Sequence, residues 1–181
     1  KPKKTKIKYK NNQIENINLF IEQIKKWNGL DLIAKSTVKD IWYFHINEAL
    51  SIEFLLRDIK VPVIDFGAGS GIIAYTLNAL NIPVECVERN SSKMLFIQKI
   101  GNLKCCDKIQ YPKYIAIVRG VDKIVKLLSL LKNADELILF KQVEYHDEIN
   151  KALKMFNFNY NVYEREVPGS IIHIFNIKKI K

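Results

Sequence analysis

Scarcity narrows the class of this 181-residue chain first. It holds three cysteines, Cys86, Cys105 and Cys106, and no two of them stand at a Cys-x-x-Cys spacing. An odd, unspaced set argues against a disulfide scaffold and against a cysteine-built zinc site, and it suits a reducing compartment. Cys105 and Cys106 are expected to be ordinary half-buried thiols, and no metal site is expected. No apolar run approaches the ~20 residues that a membrane-spanning helix needs, so no membrane association is expected. The basic N-terminus is not followed by an apolar stretch, so no secretory leader is read there. Acidic residues are also scarce. Nineteen Asp and Glu face twenty-nine Lys and Arg, a formal net charge of +10. That excess favours polyanionic partners, because each neutralised phosphate releases counterions.

What is present describes a folded chain. Apolar residues make up 48% of it, too many for a disordered protein, and the length suits one domain with a real core. Residues 1–13 read as a basic tail, with lysines at 1, 3, 4, 6, 8 and 10. Residues 14–181 read as a single domain, with a helical part over 14–58 and a strand-and-helix core over 61–181. Ile14, Ile17, Phe20, Ile21, Ile24 and Trp27 recur at helical steps, and Asn28-Gly29 ends that helix. A second helix starts near Ser36 or Thr37, with Ile41, Phe44, Ile46, Leu50, Phe54 and Leu55 as its apolar face. Trp27 and Trp42 are expected in the core.

The texture changes at Val61. Strands are expected over 61–66, 83–88, 114–118 and 136–140. Helices are expected over 71–80, from Ser91 or Ser92 to Ile100, over 121–131 and over 145–156. Alternation of this kind builds a parallel sheet with helices on both faces. Two closing strands, about 160–166 and 171–177, are joined by the Pro168-Gly169 turn and add an antiparallel edge.

Glycine is rare, seven residues in all, yet three of them fall within Asp65-Phe-Gly67-Ala68-Gly69-Ser70-Gly71. The segment follows an expected strand and opens an expected helix. Glycines there permit a tight turn and close approach of the backbone to a ligand. Open parallel sheets bind ligands at the carboxyl ends of their strands. Glu88, at the end of the next strand, is placed to take both hydroxyls of a ribose. A nicotinamide dinucleotide is disfavoured, because the spacing is G-x-G-x-G and not G-x-G-x-x-G. Asp65 also suits a cationic amino-acid group better than a pyrophosphate. The cofactor that combines a ribose, an ammonium and a sulfonium is S-adenosylmethionine.

These features, with others along the chain, resemble the RsmG (GidB) family, methyltransferases that modify a guanine N7 of small-subunit ribosomal RNA. The resemblance runs from about Phe20 to Lys179. Lys26-Trp27-Asn28, Asp40-Ile41-Trp42, Phe44-His45-Ile46 and Glu48-Ala49-Leu50 resemble its N-terminal helices, with Glu48-Ala49 where Asp-Ser is usual. The glycine turn, Glu88 and Lys93 follow in order. Val118-Arg119-Gly120 resembles its Ser-Arg-Ala, Lys141 the lysine that ends strand five, and Val167-Pro168-Gly169 its C-terminal hairpin. The turn departs from the family's pattern in continuing Ile72-Ile73-Ala74 where Phe-Pro-Gly is usual, and the family's Gly-Arg-Ala-Glu segment has no clear counterpart.

The resemblance implies an α/β, Rossmann-like, class I S-adenosylmethionine-dependent methyltransferase sheet with N-terminal helices and a C-terminal antiparallel hairpin. It implies cofactor contacts from Asp65, Gly67, Ala68, Gly69, Ser70, Gly71 and Glu88. Arg119 and Lys141 are expected to face the target guanine or its phosphates as catalytic residues. His45 and Lys93, with those two, are expected on the RNA side. The expected partner is ribosomal RNA or the small ribosomal subunit, and a monomer is expected outside any ribosomal particle. Two functions stay open: an active ribosomal RNA methyltransferase, or a degenerate relative that binds RNA without catalysis. The cytoplasm is expected for a bacterial source, and a mitochondrion or plastid for a eukaryotic one.

Overall fold

The computed structural model describes residues 10–119, 123–140, 146–167 and 170–180. Helix α1 spans Asn11–Lys26 and buries Ile17, Phe20, Ile21 and Ile24, the stripe that the helical spacing marks. It starts earlier than the apolar pattern does. The Gln13 side chain accepts from the Lys10 amide (2.8 Å) and donates to the Ala79 carbonyl (2.8 Å). Residues 11–13, read with the basic tail, are therefore helical. Trp27 is a correction: it is 44% exposed. The helix stops at Lys26 and the chain turns through a 3₁₀ segment at Asn28–Leu30, which swings the ring off the apolar stripe. Trp42 is half-buried, with its indole N–H on Asn18 Oδ1 at 2.8 Å.

The second helix of the sequence reading is three joined pieces. A 3₁₀ segment covers Lys35–Asp40, a π turn Trp42–Ile46 and helix α2 Asn47–Leu56. In the π turn the Asn47 amide reaches back to the Trp42 carbonyl, which adds one residue to the turn. The insertion lets adjacent His45 and Ile46 both sit inside.

The core elements then alternate as expected, except that a two-residue strand, Cys105–Cys106, comes before the strand Ile115–Val118 with no helix between. They are β1 Val63–Phe66, α3 Ile72–Ala79, β2 Glu85–Val87, α4 Ser91–Lys99, β3 Cys105–Cys106, β4 Ile115–Val118, α5 Ile124–Leu130, β5 Glu136–Phe140, α6 His146–Leu153, β6 Phe158–Val167 and β7 Ser170–Lys179. Asn90, and not Ser91 or Ser92, caps α4: its side chain accepts from the Lys93 amide at 3.0 Å. Strands form one seven-stranded sheet in the order β3-β2-β1-β4-β5-β7-β6. Pairs from β3 to β5 are parallel, and β7 joins β5 and β6 antiparallel.

Two cores flank the sheet. On one face Val63, Ile115, Ile117, Ile138 and Ile174 pack with residues of α1, α2, α3 and α4. On the other, Ile64, Ala116, Val118, Leu137, Leu139 and Phe175 pack with α5 and α6. Burial on both faces explains why β1, β4 and β5 read as continuous apolar runs. Asp65 is the exception in β1 and lies 1% exposed. Cys86 and Cys105 are buried neighbours across β2 and β3, and Cys106 is half-buried; all three are free thiols. No described helix is long and apolar enough to cross a membrane.

Candidate functional site

Three parallel strands end together and deliver the polar residues. Asp65 sits in β1, Glu88 one residue beyond β2, and Arg119 one residue beyond β4. Register pairs β1 with both β2 and β4, so the three side chains share one carboxyl edge of the sheet. The turn after β1 is pinned to β2 by the amides of Gly67 and Ala68, which both donate to the Val87 carbonyl (2.9 and 3.1 Å).

The glycines are required by backbone geometry. Gly67, Gly69 and Gly71 have φ of +72°, +60° and +73°, the left-handed region that costs a side-chain-bearing residue strain. A Cβ on Gly69 would come 3.4 Å from the Leu32 carbonyl, and one on Gly71 3.1 Å from the Ile97 side chain. The turn therefore lies directly under the segment that follows α1. Ala68 and Ser70 are fully buried, so their side chains pack inward under the turn. Ser70 Oγ accepts from the Ile72 amide at 3.4 Å, a bond internal to the turn.

Glu88 organises the same turn from the neighbouring strand. Its Oε2 accepts from the Gly69 amide (2.8 Å) and its Oε1 from the Asn90 amide (2.9 Å). Each oxygen keeps a lone pair for a ligand hydroxyl. Asp65 behaves differently. Its Oδ2 is buried and has no hydrogen-bond partner. Burial pushes its carboxyl up to about 6, against the pull of Arg119 and of the Ala74 backbone N–H, with Glu88 and Glu48 adding repulsion. A buried carboxylate with an unsatisfied oxygen is an expensive feature, and a cationic ligand group would satisfy it. The orphaned oxygen, the three left-handed glycines and the two-lobed carboxylate of Glu88 fit a nucleoside cofactor that carries an ammonium.

Arg119 closes the site from the opposite side. Its Nη1 meets His45 Nδ1 at 2.7 Å and Glu48 Oε2 at 3.2 Å. His45 Nε2 in turn meets Thr37 Oγ1 at 2.9 Å. Burial, then the Arg119 charge, push the His45 imidazole down to about 4, so it is neutral at pH 7. Burial raises the Glu48 carboxyl, and Arg119 opposes that rise by charge and hydrogen bond.

The structure therefore gathers Asp65, Gly67, Gly69, Gly71, Glu88, Arg119 and His45 about one strand edge. Lys93 is half-buried in the first turn of α4, where its amide donates to the Asn90 side chain that follows Glu88. Lys141, the Pro168-Gly169 turn and the tail lysines before Lys10 lie outside the described residues. Sequence reasoning missed Thr37 and the Leu32 carbonyl. It named Glu48 only as a departure from the expected Asp. No spacing rule marks such residues, because Leu32 meets Gly69 and Glu48 meets Arg119 only across distant parts of the chain. Among the described residues, no group of three or more His, Cys, Asp or Glu could hold a metal ion.

Comparison with known proteins follows this geometry. The family model described as GidB, rRNA small subunit methyltransferase G, matches residues 13–170. Two curated relatives named ribosomal RNA small subunit methyltransferase G come from Rickettsia felis and Rickettsia prowazekii. They are 24% and 25% identical over 92% of this chain and 95% and 96% of their own lengths. Among solved structures, a magnesium protoporphyrin IX methyltransferase from Synechocystis with bound S-adenosylmethionine superposes with a TM-score of 0.62, at 15% identity, covering 97% of this chain and 100% of that one. A tRNA methyltransferase, TrmK of B. subtilis, gives 0.54 at 12% identity over 73% of this chain and 65% of that one. At such identities the structural likeness concerns the class I methyltransferase fold alone.

Proposed function

The chain belongs to the GidB family, rRNA small subunit methyltransferase G, and on that premise we propose that it moves a methyl group from S-adenosylmethionine to a guanine N7 of small-subunit ribosomal RNA. The observation that carries the reading is the carboxyl edge itself. There a buried Asp65 with one unpartnered oxygen and a ribose-ready Glu88 flank a turn of three left-handed glycines.

When bound, the cofactor supplies a methyl group already activated by a positive sulfonium. The protein's own work is binding and placement. Asp65 holds the ammonium of the methionine end. Glu88 holds the ribose hydroxyls while its two amide bonds keep the turn rigid. The backbone of residues 67–71 approaches the ligand where a Cβ would be strained. Arg119 and Lys141 meet the target guanine or its phosphates, with His45 and Lys93 on the same RNA side. Guanine N7 attacks with an sp² lone pair and has no proton to lose, so no general base is needed. Positioning and exclusion of water then supply much of the rate. The net charge of +10 suits a phosphate-rich substrate, with affinity that falls as salt rises.

We further read the chain from Asn11 onward as one methyltransferase-fold domain that works as a monomer on the small ribosomal subunit, in the cytoplasm of a bacterial cell. The relatives named above are bacterial. Calorimetric titration with S-adenosylhomocysteine tests the cofactor half of the proposal. Micromolar binding that Glu88→Ala weakens at least tenfold is expected. No binding at millimolar ligand would leave a fold that binds RNA without catalysis.

A further inference from the structure

Donor and acceptor counting at the mouth of the site gives a hydrogen-bond chain with a single direction. Thr37 Oγ1 lies 2.8 Å from the Ala34 carbonyl and donates its one proton there. Toward His45 Nε2 it can then act only as an acceptor, so the imidazole carries its proton on Nε2. His45 Nδ1 is left as an acceptor, and Arg119, which has donors only, gives it one N–H of Nη1. Glu48 Oε2 takes the other N–H of the same nitrogen. Both bonds fall on Nη1. Among the described residues no other group takes its Nε and Nη2 edge, which is the edge suited to gripping a phosphate or a base carbonyl in two-point fashion.

The backbone is built to present this chain. Thr37 comes from the 3₁₀ segment, His45 from the π turn and Glu48 from the first turn of α2. The extra residue of the π turn is what places His45 inside while Glu48, three residues on, still reaches Arg119. Arg119 in turn sits close enough to Asp65 to pull on its ionisation, so the relay ends beside the cofactor's ammonium site.

We propose that Thr37, His45 and Glu48 are positioning residues, a one-way relay from the Ala34 carbonyl to Nη1 that fixes Arg119 beside Asp65 and leaves its other edge for the RNA target. The target half rests on the reaction proposed above; the relay itself does not. His45 acts through Arg119 and not by touching RNA. The charged groups that face it are Arg119 from the end of β4, on its Nδ1, and Glu48 from α2, on the same guanidinium nitrogen.

The test uses the whole protein with its three histidines labelled with ¹⁵N, and reads tautomer and titration of His45 by NMR alongside single-turnover methyl transfer to small-subunit RNA. Wild type is expected to show His45 neutral with the proton on Nε2 down to pH about 5. Thr37→Val and Glu48→Gln are expected to mix the tautomers or shift the titration, and to slow single turnover at least tenfold. S-adenosylhomocysteine and RNA affinities should stay within threefold, and the hydroxyl-retaining Thr37→Ser should recover most of the rate. A His45 that titrates near 6.5 in wild type overturns the relay. So does a single-turnover rate within twofold of wild type in both variants. A wild type with the Nε2 signature and its loss in both variants, but no methyl transfer, upholds the relay and sinks the reaction.

Discussion

The two sides of the site are made differently. On the cofactor side, Asp65 to Gly71 and Glu88 are held by main chain. Both glycine-turn amides, Gly67 and Ala68, go to Val87, and Glu88 binds the amides of Gly69 and Asn90. On the target side, Arg119 is held by the side chains of His45 and Glu48, and His45 in turn by Thr37. A backbone-made turn tolerates little change in its glycines, and it leaves the two carboxylates, Asp65 and Glu88, as the side chains that meet the ligand. A side-chain-made site depends on each donor and acceptor in turn. The difference also sets cost. Asp65 is kept ionised inside the protein with one oxygen unpaired, which trades stability for a cationic ligand.

The largest expected effect comes from breaking the cofactor side at that carboxylate. Asp65→Asn should weaken S-adenosylmethionine binding a hundredfold or more by calorimetry. The same variant should be more stable than wild type at pH 7.5 by urea denaturation, on the order of 2 kcal/mol. The sign follows from a folded value near 6 against an ordinary 3.8. Burial of the ionised form is a cost present above pH 6, and it fades as pH falls from 6 to 4, so the gain of Asp65→Asn should vanish below pH 4. An unchanged affinity would remove Asp65 from the cofactor site.

Acid should separate the two sides next. Cofactor affinity should drop about tenfold per unit below pH 6 as Asp65 takes a proton, a slope that Asp65→Asn abolishes. His45, held near 4, contributes stability above pH 6.5 that is lost as pH falls from 6.5 toward 4. The two groups therefore oppose each other in acid, and a urea series at pH 4.5 to 7 on His45→Gln and Asp65→Asn reads each alone.

Gly69→Ala sharpens the backbone claim. A side chain at φ +60° against the Leu32 carbonyl should cost about 1 kcal/mol of stability and loosen cofactor binding roughly tenfold. Gly29→Ala, with no atom within 4 Å of its Cβ position, is the matched control and should do neither. The smallest effect is expected at Trp27, where 44% exposure predicts a change within about 0.5 kcal/mol for Trp27→Ala. A loss above 2 kcal/mol would return that ring to the core.

This contrast also explains what the sequence made legible. The glycine cluster, the carboxylates at successive strand ends and the strand-helix alternation are local patterns with local causes, and they gave the sheet, its order of elements and the cofactor side. Element ends moved by one to three residues where a side chain, such as Gln13 on Ala79 or Asn90 on Lys93, set the start. The split of the second helix into 3₁₀, π and α pieces left no mark in its apolar spacing, since Ile41 and Ile46 are buried in either form. The Thr37, His45, Glu48 and Arg119 chain depends on contacts between residues 71 to 74 positions apart, and no periodicity carries that information. The short β3, only Cys105–Cys106, lies outside the strands expected from the sequence, because two residues carry no readable alternation.

The central claim is transfer of a methyl group to ribosomal RNA at this strand edge. The most direct measurement incubates the purified protein with labelled S-adenosylmethionine and small ribosomal subunits or their naked RNA, then identifies the modified nucleoside by mass spectrometry. Wild type is expected to give N7-methylguanosine in small-subunit RNA, and Asp65→Asn and Arg119→Ala a signal reduced at least a hundredfold. A wild type that binds S-adenosylmethionine yet methylates no nucleotide of either substrate would contradict it.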